Sequence, residues 1–347
     1  MQLTRISSAN GKDAQRYFSH QQPWRPGQDL GWSMNTQRSP ERARKFGPGA
    51  YGAHVYAQAS YAAAKAIEED KSIQSASQLA ISSIQGVFSR PGLQDRPFIY
   101  DVSNISTGRS FSTQLVVARQ PFEPSSKPEG PFPLSEADLP LDEVAFTSLT
   151  TFKRPTDTPS EVQERDSPQV RFAEILQSRA ADEWEASPQA DIDIVRETFP
   201  MKGHGSFPIL DMYKVDMTGY NASKDIPDRR QLTLYRLHKP VPEDDINAHI
   251  LCHAYESDRN GLIMLGNHLG YGYSLGPTAT LSYSFFVHVN GDEAVMRGDG
   301  WWVQEMWWPR VSAGRCMQET RLWSPEGKHI ASGYQDGMVL PAKKSKI

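Results

Sequence analysis

Reactive residue types are sparse in this 347-residue chain, and few are spaced for a familiar reaction. His54 is one candidate. It lies near the start of a helix-like run, and histidine titrates near neutral pH, which suits an acid or a base. A structural histidine bonded to backbone is the competing reading. The run Trp301-Trp302-Val303-Gln304-Glu305-Met306-Trp307-Trp308 is a second candidate. Strand alternation puts Trp301, Val303, Glu305 and Trp307 on one face and Trp302, Gln304, Met306 and Trp308 on the other. These indoles pack as plain core, or they line a flat aromatic pocket that Tyr271 and Tyr273 extend. Gly47-Pro48-Gly49 and the glycines Gly270, Gly272 and Gly276 lack the Lys-Ser/Thr of a phosphate loop. The nine histidines read as scattered, and the two cysteines, Cys252 and Cys316, cannot supply a four-ligand zinc site. Neither a metal nor another cofactor is expected.

These residues need elements to hold them. Val55, Ala59, Ala62, Ala63 and Ala66 recur at helical spacing, which predicts a helix over residues 50–70. Its alanine face lets it lie close to a sheet. Gly86–Ser89, Pro97–Ser103, Ser110–Arg119 and Ala145–Lys153 read as strands, with turns at Arg90-Pro91-Gly92 and Thr107-Gly108-Arg109. The second half repeats the plan. Leu232–Leu237 reads as a strand, and Asp244–Leu269 as a helix that Asp258-Arg259-Asn260-Gly261 divides in two. Thr278–Val289, Trp301–Trp308, Arg315–Trp323 and His329–Leu340 follow as strands. Ser106-Thr107-Gly108-Arg109-Ser110 is echoed by Ser312-Ala313-Gly314-Arg315-Cys316. A duplicated α+β unit, each sheet wrapped around its helix, is the simplest reading. The boundaries expected are a polar, loop-like extension (1–45), a first domain (46–153) and a linker (154–205) with an amphipathic helix around Val170–Trp184. A second domain (206–342) and a tail (343–347) complete the chain.

Composition narrows the functional classes. Hydrophobic residues are 38% and aromatics 10%, enough for a folded core. Lys and Arg number 37 against 41 Asp and Glu, so no basic surplus exists to neutralise phosphates, and nucleic acid is not an expected partner. Two thiols suit a reducing compartment. No apolar signal region follows Met1 and no run of about 18 apolar residues occurs, so a soluble intracellular protein without a membrane span is expected. The end, Ser345-Lys346-Ile347, keeps the small, basic, aliphatic pattern of the peroxisomal Ser-Lys-Leu address. Peroxisomal localisation is therefore expected, and cytoplasmic otherwise.

Several motifs resemble the acyl-CoA thioesterase II (TesB-like) family, which is built of two hotdog domains. Tyr51-Gly52-Ala53-His54-Val55-Tyr56-Ala57-Gln58-Ala59 is similar to the family's Phe-Gly-Gly-Gln…Gln-Ala helix. Phe88-Ser89-Arg90-Pro91-Gly92, Tyr100-Asp101-Val102 and Gly108-Arg109-Ser110-Phe111-Ser112 match three further family motifs. Ala279-Thr280-Leu281-Ser282-Tyr283-Ser284, ending at His288, resembles the Ala-Thr-Ile-Asp-His-Ser…Phe-His strand. Ala331-Ser332-Gly333-Tyr334-Gln335-Asp336-Gly337 resembles the closing Ala-Ser…Gln-Glu-Gly strand. The matches run in order from about residue 46 to residue 340.

The resemblance implies an α+β double hotdog that hydrolyses an acyl-CoA or related acyl thioester, commonly as a homodimer. It implies a site of an Asp on the second helix, a Thr or Ser on the next strand and a Gln on the last. Thr280 and Gln335 match two of these; the aligned residue for the Asp is Asn267. An amide cannot take a proton from water, and general-base catalysis contributes about 10²–10⁴-fold, so weak or altered hydrolysis is expected. The alternative is a redirected hotdog enzyme: an isomerase, dehydratase or cyclase acting on a thioester or a free product in secondary metabolism. A carrier that binds without turnover is a third reading. His268 neighbours Asn267 but points about 100° away on a helix, and Asp336 faces away from Gln335 on its strand. His54 stands as the alternative acid or base, and Tyr271 and Trp302 as substrate-binding residues. The first half's counterpart of Gln335 falls near Phe152-Lys153, so one site per chain, in the second half, is expected.

Overall fold

In the computed structural model of the chain, the residues described are 2–7, 14–24, 49–70, 72–73, 78–187, 191, 193–194 and 209–342. The tail ending Ser345-Lys346-Ile347 lies outside them, as does much of the expected extension and linker. The chain divides into two compact units, Met1–Pro155 and Thr156–Ile347.

The first unit contains β1 (Leu3–Ile6), β2 (Gln15–Ser19), α1 (Gly52–Glu69), β3 (Ala80–Phe88), β4 (Ile99–Thr107), β5 (Phe111–Arg119) and β6 (Phe146–Lys153). The strands pair antiparallel in the order β1-β2-β4-β5-β6-β3. Strand alternation is clean on β5 and β6. Ser112, Gln114, Val116 and Ala118, with Phe146, Ser148, Thr150 and Phe152, are buried, and the residues between them are more exposed. α1 is buried along most of its length, and its alanines let its backbone approach the sheet. The N-terminal stretch departs from the loop expected of it. β1 and β2 join the sheet, and the adjacent Tyr17 and Phe18 are fully buried. Neighbouring polar residues masked that short apolar pair in the sequence.

The second unit contains β7 (Glu185–Ala186), β8 (Leu210–Lys214), β9 (Gln231–Leu237), α2 (Ile246–Ser257), α3 (Gly261–His268), β10 (Leu275–Val287), β11 (Trp302–Ser312), β12 (Arg315–Trp323) and β13 (His329–Pro341). The strand order is β10-β13-β12-β11-β9-β8-β7, antiparallel throughout. The helix expected around Val170–Trp184 is instead two single turns, Pro168–Arg171 and Ala173–Leu176. They cover the sheet face opposite the long helix: Phe172 and Trp184 pack on Val303, Leu232, Leu234 and Trp323. Each unit is thus an antiparallel sheet around a central helix, the hotdog arrangement. Among the described residues no helix is long and apolar enough to cross a membrane.

Candidate active site

The long helix of the second unit breaks where the sequence turns to Asp258-Arg259-Asn260-Gly261. These are weaker helix formers than the residues before them. Asn260 takes a left-handed backbone, φ 56°, which asparagine tolerates better than most residues. A break leaves carbonyls without helical partners, and side chains from the sheet supply donors. Gln304 Nε2 donates to the Glu256 carbonyl (3.0 Å), Thr320 Oγ1 to that of Ser257 (3.2 Å) and Trp308 Nε1 to that of Gly261 (3.1 Å). Tyr283 donates to Ser257 Oγ (2.6 Å), which bonds back to the Ala254 carbonyl (2.6 Å). The turn carrying Asp258 is therefore fixed from three strands.

Asp258 is buried at the end of α2. The Gln335 amide donates to Asp258 Oδ1 and to Thr280 Oγ1, the latter at 2.6 Å. Two local features make this meeting possible. Gly333 and Gly337 flank Gln335 on the same face of β13. A Cβ at Gly333 would lie 2.2 Å from the Tyr283 hydroxyl, and one at Gly337 2.5 Å from Leu262, so only Gln335 projects a side chain there. On β10 the register shifts between Thr280, opposite Gly337, and Ser282, opposite Asp336. Thr280 and Tyr283 are three apart, which regular alternation puts on opposite faces. The bulge turns both toward the helix. The result is a carboxylate, a hydroxyl and an amide in one hydrogen-bonded group: a carboxylate that can take a proton from water and a hydroxyl that can orient the reacting groups.

The structure brings Thr280 and Gln335 together and leaves Asn267 out. Asn267 sits near the end of α3, nine residues past Asp258. Its Nδ2 donates to the Asp191 carbonyl (2.9 Å) and its Oδ1 accepts from the Asp193 amide (3.2 Å). It fastens a loop, and Asp258 is the carboxylate that stands with Thr280 and Gln335. The missed signal was the predicted helix break itself, which already contained the aspartate.

The other candidates are occupied structurally. His54 is buried and its Nδ1 accepts from the Trp24 amide (3.3 Å); burial pushes its pKa down to about 3, so it stays neutral. Trp302 packs on His253, ring centroids 4.5 Å apart, and on Tyr235. Trp308 joins Leu262, Leu265 and Val339 in an apolar cluster against which Tyr271 packs. On the other face, Trp301 lies under Arg236, and Trp307 between Arg230 and Arg321. His268 lies tilted against Trp308, ring centroids 4.7 Å apart, and burial with the Arg229 charge lowers its pKa to about 4. In the first unit, Thr150, not Lys153, is the residue of the last strand that meets the helix: its hydroxyl bonds Ser60 (3.2 Å). Helical spacing does pair two of the histidines, His249 and His253. Both rings are committed, to Pro242 and Met296 and to Tyr235 and Ala294 respectively. Among the described residues no group of three such side chains is placed to hold a metal.

Comparison with known proteins bears on the family and the fold. The family model described as the acyl-CoA thioesterase N-terminal domain matches residues 39–125, and that of the acyl-CoA thioesterase C-terminal domain matches residues 210–339. No curated protein matches the chain by sequence. Among solved structures, it is similar to acyl-CoA thioesterase II TesB2 of Mycobacterium marinum, with 20% identity and TM-score 0.55 over 84% of this chain and 90% of that one. The tesB protein of Mycobacterium avium subs paratuberculosis is 17% identical, with TM-score 0.55 over 94% of this chain and 93% of that one. A hot dog fold protein of Alicyclobacillus acidocaldarius is 13% identical, with TM-score 0.56 over 96% of this chain and 95% of that one.

Proposed function

The chain belongs to the acyl-CoA thioesterase family of tandem hotdog domains, and on that premise we propose that it hydrolyses a fatty or polyketide-like acyl-CoA at Asp258, Thr280 and Gln335. The observation that carries this reading is the single Gln335 amide donating to both Asp258 and Thr280. Asp258 accepts a proton from water as the water oxygen attacks the thioester carbonyl. The C–S bond then breaks, and the proton passes to the departing CoA thiolate. Thr280 Oγ1 already accepts from Gln335, so its own proton is left to donate to the water or to the carbonyl oxygen. On this reading Asp258 supplies the carboxylate, which favours ordinary hydrolysis over weakened hydrolysis and over isomerisation, dehydration or cyclisation.

The test is release of free thiol from a panel of acyl-CoAs, short to long and saturated to polyunsaturated. Wild type should turn over at least one of them. Asp258→Asn should lower kcat by about 10²–10⁴-fold, the range of a lost general base. Undiminished turnover in that variant would sink the assignment. We propose also that the protein works as a homodimer in peroxisomes. Light scattering in solution reads the first. For the second, a fluorescent fusion ending in Ser345-Lys346-Ile347 should enter peroxisomes, and one lacking these residues should not.

A further inference from the structure

We infer that Gln318 is a positioning residue of this site: with Gln335 it holds a buried water that keeps the Gln335 amide turned toward Asp258. The inference rests on the hydrolytic reading above. Gln318 on β12 lies directly opposite Gln335 on β13, which places their Cβ atoms about 4.5–5.5 Å apart. Both side chains are about 1% exposed. Neighbours fix which way each amide faces. A carboxylate only accepts, so Gln335 must turn its N–H groups to Asp258 and Thr280. The Thr320 hydroxyl donates to the Ser257 carbonyl, so its oxygen is left to accept from Gln318 Nε2 (3.3 Å).

Both carbonyl oxygens are then turned elsewhere, and among the described residues neither Gln318 Oε1 nor Gln335 Oε1 meets a donor. A buried acceptor without a donor loses its hydration with nothing in return. Water carries two hydrogens and satisfies such a pair. A Cβ at Gly261 would lie 1.8 Å from Gln318 Oε1, so glycine there lets that oxygen sit against the turn that carries Asp258. Cys316, two residues before Gln318 on the same strand face, lies in an apolar cluster, so a hydrocarbon at position 318 would have apolar neighbours to pack on.

Gln318→Met keeps the length and removes the acceptor. The expected result is a kcat lowered about tenfold, with KM unchanged and a Tm equal to or above that of wild type. A merely structural glutamine would instead lower Tm in step with kcat. Gln318→Glu, which restores an acceptor oxygen, should recover most of the lost kcat. A high-resolution crystal structure of the wild type should show a water within about 3.2 Å of both oxygens. The inference is overturned if no water lies there, if kcat of Gln318→Met stays within about twofold of wild type, or if Tm falls with kcat. Asp258→Asn measured alongside separates the two levels. If it loses turnover while Gln318→Met does not, only this inference fails. If Asp258→Asn retains turnover, or wild type cleaves no acyl-CoA, the hydrolytic reading fails, and the density between the amides still decides the water.

Discussion

The two units share a plan and differ at one turn of helix. In the first, α1 runs unbroken from Gly52 to Glu69 and meets its sheet through neutral groups. Ser60 pairs with Thr150 (3.2 Å), and Tyr100 donates to Gln58 (2.9 Å). In the second, the helix stops at Ser257, turns left-handed at Asn260 and starts again at Gly261. Asp258 stands in that gap and meets Gln335. Even the neighbouring strand is alike: Gln114 lies opposite Thr150, as Gln318 lies opposite Gln335. The sheet therefore does not by itself make the site. An unbroken helix satisfies its own carbonyls and offers the sheet small side chains. A broken one needs donors from the sheet, and those donors lock a carboxylate in place.

The strongest way to break this comparison is to neutralise each helix in turn. Asp258→Asn should reduce kcat by about 10²–10⁴-fold. Ser60→Ala, at the corresponding contact of the first unit, should leave thioester hydrolysis within about twofold of wild type, because it costs one neutral hydrogen bond and touches no proton transfer. Comparable losses in both variants would mean that the first unit takes part in the chemistry.

pH separates the units next. Each helix buries titratable groups in their neutral form, among them Glu256 in the second unit and His54 in the first. Glu256 is fully buried, and burial pushes its pKa from 4.5 up to about 8, with Arg259 opposing. Its contribution to stability is present below pH 4.5 and is lost as pH rises through about 8. Glu256→Gln should leave stability nearly unchanged at acid pH and raise it at alkaline pH, by on the order of a few kcal/mol. His54 has the opposite sign. Its pKa falls from 6.5 to about 3, so stability present above pH 6.5 is lost as pH drops toward 3. His54→Gln should flatten the acid limb alone. Thermal melts across pH read both variants. An alkaline limb unchanged in Glu256→Gln would remove the buried acid from the account.

Much of this organisation was legible in the sequence. Alanine periodicity located α1, alternation located most strands, and the low-propensity run 258–261 located the helix break. The alternation of 301–308 also sorted its tryptophans correctly between two faces. Of the three residues expected at the site, Thr280 and Gln335 meet in the structure and Asn267 does not join them. Thr280 and Gln335 sit on strands with recognisable motifs, whereas the helix between them carries no fixed count of residues to its carboxylate. Only the meeting of side chains across α2, β10 and β13 selects Asp258 over Asn267. The same limit hid β2, since a strand as short as Gln15–Ser19 gains its place from pairing with β4 rather than from its own pattern.

The break itself can be tested at smaller cost. Asn260→Gly should leave Tm and kcat close to wild type, because glycine adopts φ 56° freely. Asn260→Ala should destabilise by about 1–2 kcal/mol, the cost of a left-handed backbone at a residue with a Cβ and no polar side chain. Equal stability of the two variants would mean that the turn does not hold this conformation in solution.

The smallest expected effect on turnover is the sharpest for the choice of site. Asn267→Asp would create a carboxylate at the helix position where the family resemblance implies one. In the structure that carboxylate would face the Asp191 carbonyl, which now accepts from Asn267 Nδ2, near the Asp191 and Asp193 side chains that Lys214 pairs. An acceptor facing an acceptor costs about 1–3 kcal/mol. Asn267→Asp should therefore lower Tm modestly and leave kcat within about twofold of wild type. A rise in kcat would place the reacting water at the end of α3. It would then be Asp258, not Asn267, that serves only to bond the sheet.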